Sequence, residues 1–216
     1  MIALRVSWPS RFFSSGRMLV SFTIGAPFML KPLLRSGLLI LSLFSPLALA
    51  NGNHPHVEIR TSQGKIELEL NATAAPRTVK NFLRYVDEDF YQGTIFHRVI
   101  DGFMIQGGGM TANLSPKKTH APMALEESGL SNTRGTIAMA RTAQPDSATS
   151  QFFINLVDNP TLDYRNFQAP GYTVFGHVVS GMDVVDAIAG VPTTHKGQHA
   201  DVPREPVTIL GVRRLQ

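Results

Sequence analysis

Cysteine is absent from all 216 residues. No disulfide can brace the fold and no thiolate can act as nucleophile or metal ligand, so a stable domain must rest on its hydrophobic core. Acidic residues are absent from the first fifty positions, which carry Arg5, Arg11, Arg17, Lys31 and Arg35. That asymmetry accounts for the formal charge of +4: residues 51–216 hold 15 basic and 16 acidic side chains, a net of −1. The folded part has no cation excess with which to neutralise phosphates, so nucleic acid is not an expected partner.

Long apolar runs are also missing. The longest, "LLILSLFSPLALA", is about a dozen residues, short of the roughly 20 that a spanning helix needs. It follows the basic "KPLLRSG" and ends in Ala48-Leu49-Ala50, the small-x-small pattern of a cleavage site. The pattern predicts a signal region over residues 1–50, cleavage after Ala50, and an exported, periplasmic domain over residues 51–216 with no membrane attachment once the signal is removed. Met29 opens a leader of ordinary length and is a candidate true start.

Several catalytic signatures are absent as well. No Ser-His-acid spacing or nucleophile elbow stands out. Gly107–Gly109 is followed by no lysine at the distance a phosphate loop requires, and a glycine run after a strand marks a bend or a close backbone approach. His54/His56 and His195/His199 have spacings that can ligate metal, but both pairs sit in polar loops, and no metal site is expected. Asn71-Ala-Thr73 and Asn113-Leu-Ser115 match a glycosylation pattern that often arises by chance.

What is present reads as a chain of short strands. "HVEIRTSQGKIELEL" alternates polar and apolar about Gln63-Gly64 and predicts a hairpin. "TAAPRTVKNFLRYVDEDFY" places Val79, Phe82, Leu83 and Val86 at helical spacing behind Pro76, with Thr73 or a neighbour as cap. "TIFHRVI" and "FMIQGG" are strands about the turn Asp101-Gly102. Residues 107–134 read as a long surface loop. "GTIAMA", "SQFFINL" and "TVFGHVV" are strands, "SGMDVVDAIAG" is a short helix, and "PVTILGVRRL" is a last strand after a Pro/His/Gly loop. About eight strands and two helices, with no β-α-β alternation, predict a mainly β fold: a closed eight-stranded antiparallel barrel capped by two helices.

One constellation stands apart. Arg98, Gln106 and Gln151 are fixed donors among the apolar Phe103, Met104, Phe153 and Leu162. In strands, Met104 shares a face with Gln106, and Gln151 with Phe153. No group in the set is a poised nucleophile. On periodicity alone these residues also fit an ordinary core, with Arg98 paired to Asp101 or to another acid.

"FHRVIDGFMIQGG", "GTIAMARTAQPDSATSQFFIN" and "YTVFGHVVSGMDVVDAI" resemble the cyclophilin family of peptidyl-prolyl cis–trans isomerases, most of all its periplasmic bacterial branch, over about His56 to Val212. The resemblance implies that Arg98 is catalytic. It implies that Phe103, Met104, Phe153 and Leu162 receive a proline ring, that Gln106 contacts substrate backbone, that Ala140, Arg141 and Thr142 run beside the peptide, and that Gln151 is a further site residue. His97 matches a motif histidine and is read as structural. Two positions depart from the family. Thr161 stands where many members carry tryptophan, which predicts weak inhibition by cyclosporin, and Tyr172, where many carry histidine, is expected to line the proline pocket. The implied partners are proline-containing stretches of unfolded or flexible exported proteins; no cofactor is implied, and a monomer is expected. A chaperone or adaptor that holds proline segments without turnover would use the same pocket and is the alternative function.

Overall fold

The computed structural model describes residues 54–216. The expected signal region and its cleavage point lie outside them. The chain forms strands β1 (His56–Thr61) and β2 (Gly64–Leu70), helix α1 (Pro76–Asp87), then β3 (Thr94–Ile100), β4 (Met104–Thr111), β5 (Thr136–Met139), β6 (Phe152–Asn155) and β7 (Val174–Ser180). Helix α2 (Met182–Ala189), β8 (Thr193–Lys196), β9 (His199–Pro203) and β10 (Ile209–Leu215) complete it, with 3-10 turns at Pro145–Ser147 and Pro160–Leu162.

Eight strands form one antiparallel sheet in the order β10-β1-β2-β7-β5-β6-β4-β3, and β8 and β9 form a separate hairpin. The mainly β character and the two helices agree with the sequence reading. The closed barrel does not. Its end strands β10 and β3 share no continuous ladder; they meet through one bridge, Ile95 to Thr208, and through hydrogen bonds from Gly93 N to Ile209 O and from Phe96 N to Val207 O, both 2.9 Å. Pro206 precedes this seam and has no N–H to donate, while β9 packs along β3. The sheet is incompletely closed. The β8–β9 hairpin lies in what reads as a loop, because "TTHK" and "HADVP" are polar and show no alternation. The strand around Gly107–Gly109 also continues to Thr111, further than its apolar run suggests.

The two-residue period of the strands divides their side chains between two apolar layers. Ile105, Ile137, Phe152, Ile154 and Phe175 enter the main core with Phe82, Tyr85 and Val86 of α1 and Val185 and Ile188 of α2. Phe82 is central there, with ring centroids 5.8 Å from Phe152 in a T-shaped pair and 5.2 Å from Phe175. The opposite faces of the same strands carry Met104, Ala138, Phe153 and Val174, a second, smaller cluster.

All four predicted apolar positions of α1 are buried, and Pro76 sits in its first turn. Its cap is not the one the sequence suggests. The N-cap is Ala75, with no side-chain hydrogen bond. The orphan amides are met from the connection between β4 and β5: Glu126 accepts from Arg77 N at 3.1 Å and from Thr78 N at 2.7 Å, and Thr78 Oγ1 donates to it at 2.7 Å. Burial pushes the Glu126 carboxyl pKa up, but the hydrogen bonds from Thr78 and Arg77 outweigh burial and hold it below its ordinary value. A lowered folded pKa means the stabilisation is complete above the unfolded value and is lost as pH falls through the folded one. Glu126→Ala should therefore cost about 2 kcal/mol at pH 7 in denaturant unfolding, and the gap to wild type should narrow as pH drops below about 4.

Candidate active site

Cross-strand pairing builds the site. Arg98 of β3 pairs with Gln106 of β4, Gln106 with Phe153 of β6, Phe153 with Ala138 of β5, and Ala138 with Val174 of β7. Residues directly opposite one another share a face, so these five form one row on the side of the sheet away from the main core. The row grades from a cation through an amide to apolar groups. Above it lies a hollow of about 130 Å³ lined by Arg98, Phe103, Met104, Gln106, Ala140, Arg141, Phe153, Leu162 and Tyr172. Each of these nine is a residue singled out in the sequence.

The remaining two lie elsewhere. Gln151 lines an adjoining groove of about 340 Å³ that shares Arg98 and Gln106 with the hollow, and its Oε1 accepts from Gln106 Nε2 at 3.0 Å. Gly109 allows this: a Cβ there would stand 2.4 Å from Gln151 Cγ, the close approach expected of the glycine run. Thr142 is exposed and does not line the hollow. Its hydroxyl is engaged by Ser147 Oγ at 2.8 Å and by Gln144 N at 3.2 Å within its own turn.

Three segments form the far wall. Phe153 meets Tyr172 edge to face at 5.4 Å. Arg141 lies over the Tyr172 ring at 4.6 Å and donates from Nε and Nη2 to Gly171 O at 2.9 and 2.7 Å. Tyr172 N donates to Leu162 O at 2.9 Å, which closes the loop between them. Thr161 is exposed beside Leu162.

Supporting residues behind this wall were not singled out from the sequence. Asn159 Nδ2 donates to Phe103 O at 3.1 Å and to Asn155 Oδ1 at 2.8 Å. Asn155 Nδ2 in turn donates to Asn132 Oδ1 at 3.2 Å and to Thr136 Oγ1 at 2.9 Å. Asp163 Oδ1 accepts from Asn132 N at 2.6 Å and from its side-chain amide at 3.0 Å. This buried network ties the turn that bears Phe103 to the one that bears Leu162. The only local hint is the polar frame of "NPTLD".

Arg98 stands at the edge of the hollow. Its side chain is 44% exposed, so water is not excluded from the guanidinium while the hollow is open. Of the partners that periodicity left open it takes not Asp101 but another acid: its Nε lies 3.6 Å from Asp201 Oδ2, on β9. His97, next in the strand, is buried, with no hydrogen-bond partner for Nδ1. Burial, then the charges of His199 and Arg98, lower its pKa to about 4. It is neutral near pH 7. Among the described residues, no cluster of His, Cys, Asp and Glu is arranged to hold a metal ion.

The family model described as "Cyclophilin type peptidyl-prolyl cis-trans isomerase/CLD" matches residues 56–214. The chain is 56% identical over 172 residues to a peptidyl-prolyl cis-trans isomerase of Acinetobacter baylyi, covering 79% of this chain and 89% of that one. It is 54% identical over 159 residues to peptidyl-prolyl cis-trans isomerase B of Escherichia coli, covering 72% and 97%. Among solved structures, a cyclophilin-type isomerase of Cryptosporidium parvum superposes with a TM-score of 0.64 at 26% identity, over 76% of this chain and 98% of that one. A structure of the same protein in the presence of the dipeptide Ala-Pro gives a TM-score of 0.63 over 74% and 99%.

The setting of His97 has a consequence for stability. An imidazole that titrates near 6.5 when unfolded and near 4 when folded takes up its proton first in the unfolded chain. Its contribution is complete above about pH 6.5 and is lost as pH falls toward 4, by up to about 3 kcal/mol. Unfolding free energies of wild type and His97→Gln, compared at pH 7 and pH 5, should show the smaller drop in the variant.

Proposed function

The chain belongs to the cyclophilin-type peptidyl-prolyl cis–trans isomerases, enzymes that accelerate rotation about X-Pro bonds in polypeptides, and we propose that it does so at Arg98, on proteins exported with it from the cytoplasm. The observation that carries the assignment of Arg98 is the row Arg98-Gln106-Phe153, which sets a permanent cation at the lip of a small hollow beside Phe103, Met104, Phe153 and Leu162.

Rotation of a planar peptide bond faces a barrier of about 18–20 kcal/mol, because resonance shares the nitrogen lone pair with the carbonyl. No bond need be broken; the catalyst has only to favour the twisted state, in which the nitrogen regains that pair. A donor aimed at the nitrogen binds the twisted state better than either planar one, which is the condition for lowering a barrier. Arg98 meets the chemical requirement, being always charged and rigid in its fork. Phe103, Met104, Phe153 and Leu162 hold the proline ring while the preceding carbonyl swings. Gln106 and the backbone near Arg141 grip the chain beside it. Since Arg98 stands half in solvent, the bound polypeptide itself supplies the cover that strengthens its hydrogen bond. About 6 kcal/mol off the barrier turns an event of ~30 s into one of roughly a millisecond.

Export is supported by the basic, apolar and small-x-small sequence of residues 31–50. That segment also supports placing the chain in the periplasmic branch of the family. The reading includes action as a monomer.

Two measurements test these readings. In a protease-coupled assay on a proline peptide, Arg98→Ala should lose at least about a hundredfold in kcat/KM with an unchanged thermal midpoint, and cyclosporin should inhibit wild type only weakly, Thr161 standing in place of tryptophan. Wild-type rates in the variant would remove Arg98 from the mechanism. Mass spectrometry of fractionated cells should find the protein outside the cytoplasm beginning at Asn51; an uncut chain retained in the cytoplasm would end the export reading.

A further inference from the structure

The β8–β9 hairpin carries an irregularity that points at Arg98. The two strands pair Thr194 with Val202 and Lys196 with His199, so that His195 alone faces both Ala200 and Asp201. This is a β-bulge, a device that re-aims a side chain. Asp201 also has φ 59°, the left-handed region that a side chain makes unfavourable and that Asp and Asn tolerate best. The bulge and the left-handed residue coincide at the one carboxylate that the described residues bring within salt-bridge distance of Arg98, at 3.6 Å. β9 packs along β3, the strand of Arg98, so the contact joins two elements already held together. Gln198, His199, Ala200 and Asp201 form one side of the groove that continues from the hollow past Arg98 and Gln106.

We propose that Asp201 is a positioning residue for Arg98, and that the β8–β9 hairpin restrains the guanidinium at the mouth of the proline hollow. An arginine side chain with nearly half its surface in water can adopt many rotamers, and only a few aim it across the hollow. A carboxylate on a bulged strand packed along β3 narrows that set before substrate arrives. The benefit appears in turnover rather than in binding, since the proline ring is held by other residues. The inference rests on Arg98 being the catalytic donor.

The test uses Asp201→Asn, which keeps the side-chain shape and tolerance of the left-handed backbone but removes the charge. Asp201→Gly, which relaxes the backbone and removes the side chain, accompanies it. Both should fold with a thermal midpoint close to that of wild type. Both should lower kcat about fivefold with KM little changed, and 15N relaxation at Arg98 Nε should show a more mobile guanidinium. In an Arg98→Ala background neither substitution should have any further effect. Unchanged or raised kcat in Asp201→Asn, with Arg98→Ala inactive, overturns the inference; so does a fall in kcat without any gain in Arg98 mobility. If Arg98→Ala retains wild-type rates, the assignment of the catalytic residue has failed instead.

Discussion

Four adjacent strands serve two masters, and the two-residue period of the β-strand is what lets them. On one side of β4, β5, β6 and β7, Ile105, Ile137, Phe152 and Ile154 close the main core under both helices. On the other, Met104, Ala138, Phe153 and Val174 pack as the second cluster, and Met104 and Phe153 with Gln106 form the floor of the hollow. The register of the ladder therefore sets the site and the core together. A slip of one residue would send Phe153 inward and Phe152 out, losing both at once. This couples the precision of the site to the stability of the core, without any disulfide to assist.

The walls above that floor depend on polar order rather than on apolar packing. Phe103 and Leu162 come from turns, which have no ladder to hold them, and their backbones are fixed through Asn159, Asn155, Asn132 and Asp163. Buried amides with satisfied partners specify one arrangement where a greasy contact would allow several. Arg141 performs a similar task on the outer rim, where its guanidinium is occupied by Gly171 O and the Tyr172 ring. The two arginines at the hollow are thus in contrasting states. Arg141 is tied down by carbonyls, and Arg98 is met by a single loose ion pair from the hairpin.

Much of this was legible in the chain itself. The strand Gly64–Leu70 and the buried stripe Val79, Phe82, Leu83 and Val86 of α1 follow from local periodicity, since burial on one side leaves its mark every two residues in a strand and every three or four in a helix. The lining of the hollow was legible too, but through family resemblance; periodicity alone left Arg98 and Gln106 open to an ordinary core reading. What could not be read depends on partners far away in sequence. Glu126 caps a helix about fifty residues earlier, and Asp201 meets an arginine about a hundred residues before it. The hairpin β8–β9 has no apolar alternation: its side chains are mostly half-buried, and only Val202 and Pro203 at its end are buried.

The amino-acid sequence by itself determined the strand faces, the two helices, the absence of disulfides and the set of side chains able to line a small hollow beside a cation. The first three are local matters of period and residue type; the lining set was legible through family resemblance. Tertiary structure decided the rest: that the sheet stays incompletely closed at the seam before β10, that Arg98 stands half in water, that Gln151 belongs to the adjoining groove and Thr142 to its own turn, and which carboxylate faces the guanidinium. Each of these is a relation between segments distant in the chain, set by how the strands stack and where the connections cross, and no window of sequence contains it.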